Sequence, residues 1–355
     1  MNTSKYIFEQ KDNTITNGKT TWKSPSNIAL IKYWGKTGVQ IPANPSISFT
    51  LNNCHTITTL HYQKSNQLNF KVLVNGKREK SFEPKIGKFL QRIISYCPYL
   101  SILDLIIETK NTFPHSSGIA SSASGLSALA LCIMHIEKQL NPSITESFFK
   151  EKASFLARLG SGSACRSIYP ELVVWGKNKS FANSSDLVAI PFAGAHKVFK
   201  DFQDTILLVD KGQKVVSSTV GHDLMHNHPF ATQRFEQAHQ NLAVLKQALI
   251  DGDLKEFTRI VESEALTLHA MMMTSNPYFI LMKPNTLQII EKVWEYRKKH
   301  NLNLTITLDA GANVHLLYPK SETKQAMALI KNTLIDFCEN NGYICDEVGK
   351  GSEEL

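Results

Sequence analysis

Strand and helix patterns group separately along this chain, which predicts an α+β fold. Three observations carry that reading. Leu68, Phe70, Val72 and Val74 alternate with polar residues and run into Asn75-Gly76, the pattern of a half-buried strand entering a tight hairpin. Apolar residues at 235, 238, 242, 245 and 249 recur at helical spacing. The two kinds of pattern do not alternate strictly, as a parallel βαβ array would require.

The elements follow in order. Residues 28–31 form an apolar strand that runs straight into Lys32. Residues 104–109 form another strand, followed by a glycine-bearing turn and a helix through 126–135. Ser143 and Glu146 make a capping-box pattern before a helix that buries Phe148, Phe149, Phe155, Leu156 and Leu159 and ends at Gly160. Residues 205–210 are a strand. Pro229 starts the helix with the apolar spacing. Asp253 and Glu256 cap the next helix, which runs to about Met272. Asn285 or Thr286 starts another, carrying Leu287, Ile290, Val293 and Trp294. Residues 304–308 and 314–318 are strands, and a final helix covers roughly 321–339. A boundary near residue 198 divides the chain into lobes 1–198 and 199–355.

The chain has 355 residues, 42% of them apolar, enough for a large core in two lobes. Its net charge of +8 is scattered, with small clusters such as Lys77-Arg78 and Arg297-Lys298-Lys299. No aromatic-interleaved basic stripe or reader motif accompanies it, which argues against nucleic acid. The N-terminus lacks a charged segment followed by an apolar one, so no secretory signal is expected. Residues 126–136, the longest apolar stretch, contain Ser and His and are too short to span a bilayer. The six cysteines form no CxxC pair, and free thiols in a cytoplasmic protein are expected.

Four segments carry chemistry. In residues 24–36, a strand delivers Lys32, Tyr33 and Lys36 to its end, which suits an anionic ligand or, equally, snorkelling lysines on an edge strand. Residues 111–125 are rich in small and hydroxyl residues before a helix, as a phosphate cradle needs. That segment is neither a Walker A loop nor a dinucleotide fingerprint. In residues 158–167, Ser161, Gly162 and Ser163 open a new segment with Arg166 one turn on, which reads as a second anion cradle in preference to a polar interhelix turn with an exposed Arg. In residues 305–313, a strand delivers Asp309 into a small-residue turn, where an acid is either catalytic or a turn former. Two cradles, cations and one carboxylate together argue for phosphoryl transfer to a small anionic acceptor.

SPSNIALIKYWGK, IPANPSISFTL, FPHSSGIASSASG, RLGSGSACRSIY, KVVSST and TLDAGANVH stand in the order seen in the diphosphomevalonate decarboxylases of the GHMP kinase superfamily, which the chain resembles from about Ser24 to Asn313. The resemblance implies an N-terminal lobe like ribosomal protein S5 domain 2, a ferredoxin-like C-terminal lobe, and a homodimer. It implies ATP-dependent decarboxylation of (R)-5-diphosphomevalonate to isopentenyl diphosphate, with Mg²⁺ whose ligands it leaves unassigned. Asp309 and Lys32 match the catalytic pair. Tyr33, Lys36, Ser161, Gly162, Ser163, Arg166 and Ser218 match substrate-binding positions. Ser116, Ser117, Gly118, Ser121, Ser122 and Ser124 match the ATP loop. Three departures from the family pattern stand at His115-Ser116, Pro45 and Ala312. None removes a group that the chemistry requires. A phosphomevalonate decarboxylase, a mevalonate 3-kinase and a non-catalytic ligand-binding paralogue remain alternatives on the same scaffold.

Overall fold

The computed structural model describes residues 2–9, 15–114, 119–212, 216 and 218–355. The first sheet is built on two long strands, β1 (Gly18–Ile31) and β2 (Ser46–Lys64), paired antiparallel. Next come β3 (Asn69–Val74) and β4 (Leu103–Asn111), which run parallel to each other, with β4 antiparallel to β2. The early part of β2 pairs instead with β5 (Leu172–Trp175). Asn75 and Gly76, both at positive φ, close the hairpin expected after Val74. Every residue of β1 from Ser24 onward is buried, because helices cover the sheet on both faces.

Helices α1 (Glu83–Ile93), α2 (Ser121–Leu140) and α3 (Glu146–Gly160) pack with the first half of that sheet. α3 is capped by Thr145, whose Oγ1 accepts from Phe148 N–H at 3.2 Å. The expected Ser143 cap is not formed, since that hydroxyl turns back to Asn141. Lys152 of α3 meets both carboxylate oxygens of Glu137 of α2 at 2.7 Å inside this core.

The second sheet is antiparallel, in the order β7 (Thr305–Thr307), β8 (Val314–Tyr318), β6 (Gln203–Leu207), β9 (Tyr343–Glu347). Between β6 and β7 the chain forms the short helix α4 (Ser218–Asp223), then α5 (Ala231–Asp251), α6 (Leu254–Met273) and α7 (Pro284–His300), and α8 (Thr323–Asn332) lies between β8 and β9. Asp253 caps α6 as expected, accepting from Lys255 and Glu256 N–H at 3.0 Å. Glu256 does not cap; it turns to Arg259. The predicted final helix stops at Asn332, where Thr333 leaves helical geometry, and the strand β9 after it was not foreseen. Among the described residues, no helix is long and apolar enough to cross a membrane.

The two sheets meet through one core. Ile28, Ile47 and Phe49 of the first sheet pack with Leu242 and Leu245 of α5, Phe257 and Ile260 of α6, and Ile206 and Leu317 of the second sheet. Asp346 of β9 ties the same junction through polar groups. Its Oδ1 accepts from Asn52 and Asn53 N–H at 2.8 Å, and its Oδ2 accepts from Cys54 N–H at 2.6 Å. Residues 51–54 lack partners in β1, so this carboxylate satisfies donors that the ladder leaves open. The chain then returns to the first sheet, pairing Glu353–Glu354 with Trp22 and Lys23. Asp346→Ala strands those donors and is expected to lower unfolding free energy by on the order of 3 kcal/mol, measured by urea denaturation.

Candidate active site

Lys32 follows the last residue of β1, and Asp309 lies two residues beyond β7. Where those strand ends meet, Lys32 Nζ stands 3.3 Å from Asp309 Oδ1. Nζ also donates to Ala29 O at 2.6 Å. Lys32 is 1% exposed, whereas the Asp309 side chain is 24% exposed and faces the opening. Burial pulls the Lys32 amine below the ordinary lysine range, and Asp309, followed by Glu264, opposes that pull.

The main chain of Lys32 is gripped from behind. Its N–H donates to Glu264 Oε2 at 2.9 Å. Its carbonyl accepts from Asn44 Nδ2 at 2.9 Å and Arg234 Nη2 at 3.2 Å. Arg234 of α5 and Glu264 of α6 are themselves a fully buried bidentate pair, at 2.8 and 2.6 Å. Asn241 gives Glu264 a further donor at 2.7 Å. Five residues along α6, His269 Nε2 contacts the Asp309 carbonyl at 3.1 Å. One helix therefore touches both members of the pair.

A cleft of about 610 Å³ opens above this floor. Lys32, Tyr33, Lys36, Ser121, Ser122, Ser161, Gly162, Ser163, Arg166 and Asp309, ten of the residues singled out from sequence, all line it. Arg166 is buried, with Nε and Nη2 donating to Asn27 Oδ1 at 3.3 and 3.2 Å and Nη1 donating to Ser46. Tyr33 packs edge-on against Trp175 at 4.7 Å, and its buried hydroxyl has no partner among the described residues. A Cβ on Gly162 would lie 2.8 Å from that hydroxyl, so only glycine permits the approach. Lys36 Nζ lies 3.5 Å from Asp223 Oδ1.

The start of α2 also lines the cleft. No side chain caps it at Ala120, which sits at φ 46°, so first-turn N–H groups are left for a ligand. Ser121 and Ser122 face the cleft, and Lys85 of α1 donates to Ser122 Oγ at 2.5 Å. Ser124 does not line the cleft. It is fully buried, with its hydroxyl 2.6 Å from Thr56 Oγ1, because the fourth residue of the helix turns toward the sheet. Ser116, Ser117 and Gly118 lie outside the described residues, as does the side chain of Ser218. Thr219 and His222, on the helix that Ser218 opens, line the cleft. Cys165 is buried packing, its thiol pushed up to about 12 by burial.

Sequence reasoning missed Lys85, His222, Arg234, Glu264 and His269. Arg234 and Glu264 did leave a signal, as ionisable residues on the apolar stripes of α5 and α6. His269 sits on that stripe too, but Lys85 and His222 stand outside any motif.

Two family models match consecutive stretches of the chain. One, for the diphosphomevalonate decarboxylase-like N-terminal domain, matches residues 24–188; the other, for the mevalonate 5-diphosphate decarboxylase C-terminal domain, matches residues 205–350. The chain belongs to the mevalonate diphosphate decarboxylase family. Within this family, the diphosphomevalonate decarboxylase of Candida albicans is 29% identical over 322 residues, covering 86% of each chain. The crystal structure of mevalonate diphosphate decarboxylase from Staphylococcus aureus matches with a TM-score of 0.82 at 28% identity, over 96% of this chain and 98% of that one. A structure of MDDEF in complex with MVAPP, AMPPCP and magnesium matches with a TM-score of 0.81 at 27% identity, over 96% of this chain and 99% of that one. The expected GHMP kinase type of α+β fold is thus the one observed.

The grip on Lys32 generates a prediction for this family member. Arg234→Met leaves Glu264 buried without its cation. The variant is expected to lose roughly 3–5 kcal/mol of stability, read by chemical denaturation.

Proposed function

We propose that this chain is an ATP-dependent decarboxylase that converts (R)-5-diphosphomevalonate to isopentenyl diphosphate, ADP, phosphate and CO₂ in the mevalonate pathway. The observation that carries the proposal is the Lys32–Asp309 pair at 3.3 Å, in a cleft lined by residues of both candidate anion cradles. On this reading lobe 1–198 supplies most of the groups that bind both polyphosphates, and lobe 199–355 delivers the acid and Ser218.

The chain's own groups would act as follows. First-turn N–H groups of α2, with the Ser121 and Ser122 hydroxyls, bind the ATP phosphates. Ser116, Ser117 and Gly118 complete that loop in the proposal. Tyr33, Lys36, Ser161, Gly162, Ser163, Arg166 and Ser218 bind the diphosphate and carboxylate of the substrate. Among the described residues no three carboxylate, imidazole or thiol groups converge as a metal cage. The Ser121 and Ser122 hydroxyls, hard oxygen donors in the cleft lining, would hold a magnesium ion. When bound, such an ion neutralises charge between the phosphates.

Asp309 accepts the proton of the 3-hydroxyl as that oxygen bonds to the γ-phosphorus and ADP leaves. Lys32 keeps the acid ionised and screens the charge between it and the incoming phosphoryl group. The C3–O bond then breaks, and its electron pair departs with phosphate. The C–C bond to the carboxylate supplies the electron pair of the alkene, and CO₂ leaves. Phosphate is a far better leaving group than hydroxide, which is why ATP is consumed. The tertiary C3 tolerates developing positive charge, and the anions held around it favour that charge. The proposal extends to a cytoplasmic homodimer, on the family resemblance alone.

Three substrates decide the reaction. With ATP-Mg²⁺, CO₂ and ADP are expected together from 5-diphosphomevalonate, and not from mevalonate or its 5-phosphate. ADP without CO₂ would make the protein a kinase. Asp309→Asn is expected to lower kcat by about 10²–10⁴-fold while ATP binding by calorimetry persists; near-normal turnover sinks the role of Asp309. Lys32 generates a pH prediction. Its cation is lost as pH rises through a value lowered by burial, so kcat should decline on the alkaline side below the ordinary lysine value of about 10.4. In Lys32→Arg that alkaline decline should vanish from the kcat–pH profile, whatever activity remains.

A further inference from the structure

His222 forms part of the cleft wall, and no sequence motif accounts for it. Its ring packs on Tyr33 and Trp34, with centroid separations of 4.3 and 4.6 Å. Gly35 N–H donates to its Nδ1 at 2.9 Å. In a neutral imidazole, an accepting Nδ1 leaves the ring proton on Nε2. That Nε2–H has no hydrogen-bond partner among the described residues. The ring, the side chains of Tyr33, Lys36 and Ser163, and the Gly162 backbone line one cleft together. A Cβ on the neighbouring Gly221 would lie 2.5 Å from the Trp34 ring, so the backbone there approaches Trp34 closely.

The protonation state follows from the surroundings. Burial among the rings, then the Lys36 cation, holds the His222 pKa at about 3. The titratable groups around it are Lys36, Asp223 and Tyr33. Asp223 is turned to Lys36 at 3.5 Å, and burial raises the Tyr33 phenol well above its ordinary range. No group nearby therefore restores the imidazolium at physiological pH. The ring is a neutral donor whose orientation is set by two aromatic contacts and one backbone hydrogen bond. Lys36 supplies charge from a flexible stem, whereas His222 supplies a direction.

We propose that His222 is a substrate-binding residue whose Nε2–H donates to a phosphate oxygen of the substrate diphosphate, beside Tyr33 and Lys36. The inference rests on the function proposed above. The diphosphate is preferred over the ATP phosphates because the ring's contacts are to Tyr33 and to the turn that leads to Lys36, not to α2.

His222→Phe keeps an aromatic ring on Tyr33 and Trp34 and removes the donor. Calorimetric titration with 5-diphosphomevalonate should show a roughly 10- to 100-fold weaker Kd in the variant. ATP affinity without substrate should be unchanged, and the loss should be of similar size at mildly acid and mildly alkaline pH. An unchanged Kd overturns the proposal, and so does a loss seen with ATP alone. If a thermal melt shows that His222→Phe does not fold, His222→Leu is titrated in its place against the same expectations. Lys36→Met is run in parallel. Weakening there with none at His222 sinks the histidine and leaves the functional reading standing. Wild-type enzyme that neither binds 5-diphosphomevalonate nor releases CO₂ from it sinks the reading itself.

Discussion

The grip on the main chain of Lys32 is the constraint on which the rest of the site depends. An amine buried this deeply is costly unless it is paired, and a pair of that kind works only at fixed distance. Glu264 and Arg234 hold the Lys32 N–H and carbonyl, and Asn44 adds a third hold. These groups come from β1, the turn before β2, and helices α5 and α6. The site thus forms only after the two halves of the chain have docked. The ion pair of Arg234 and Glu264 is also a cross-link between α5 and α6, so the same charges serve packing and position.

The electrostatics of the cleft follow from that arrangement. Lys32, Lys36, Arg166 and Lys85 line the cleft together with a single carboxylate among the described residues, that of Asp309. Arg166 and Lys32 are already desolvated and hydrogen-bonded in the protein, so little reorganisation is required when an anion enters. Tyr33 carries a buried hydroxyl with no protein partner among the described residues, which is tolerable only beside a ligand or water. Glycine at 162 lets the Tyr33 and Trp175 rings approach its backbone closely, and the uncapped start of α2 leaves first-turn N–H groups open.

Local rules read most of the fold correctly, and their failures have particular causes. The Asn75-Gly76 hairpin, the Asp253 cap and the α5 stripe were legible because propensity, capping and periodicity agreed there. The strand β9 was not, because Tyr343 to Glu347 is a mixed polar edge strand whose one buried acid, Asp346, faces another part of the chain. Ser143 has the chemistry of a cap, and Thr145 has the position. Ser124 belongs to a hydroxyl-rich segment, yet helical geometry turns it toward Thr56 and leaves the cleft to Ser121 and Ser122. A motif identifies a segment; the 3.6-residue turn selects which members of it face a ligand.

The sequence by itself determined the segment types, the two hydroxyl- and glycine-rich segments, and the presence of Lys32 and Asp309 at strand ends, because each depends on residues near one another in the chain. Tertiary structure decided what local patterns cannot encode. Residues 32 and 309 meet only because β1 and β7 end at the same place. Arg234, Glu264 and His269 gain their meaning only from α5 and α6 packing behind that meeting point. The His222 ring likewise takes its orientation only because Gly35, far from it in the chain, gives its N–H to Nδ1. Such contacts span long sequence separations, and their free energy appears only once the intervening chain has folded.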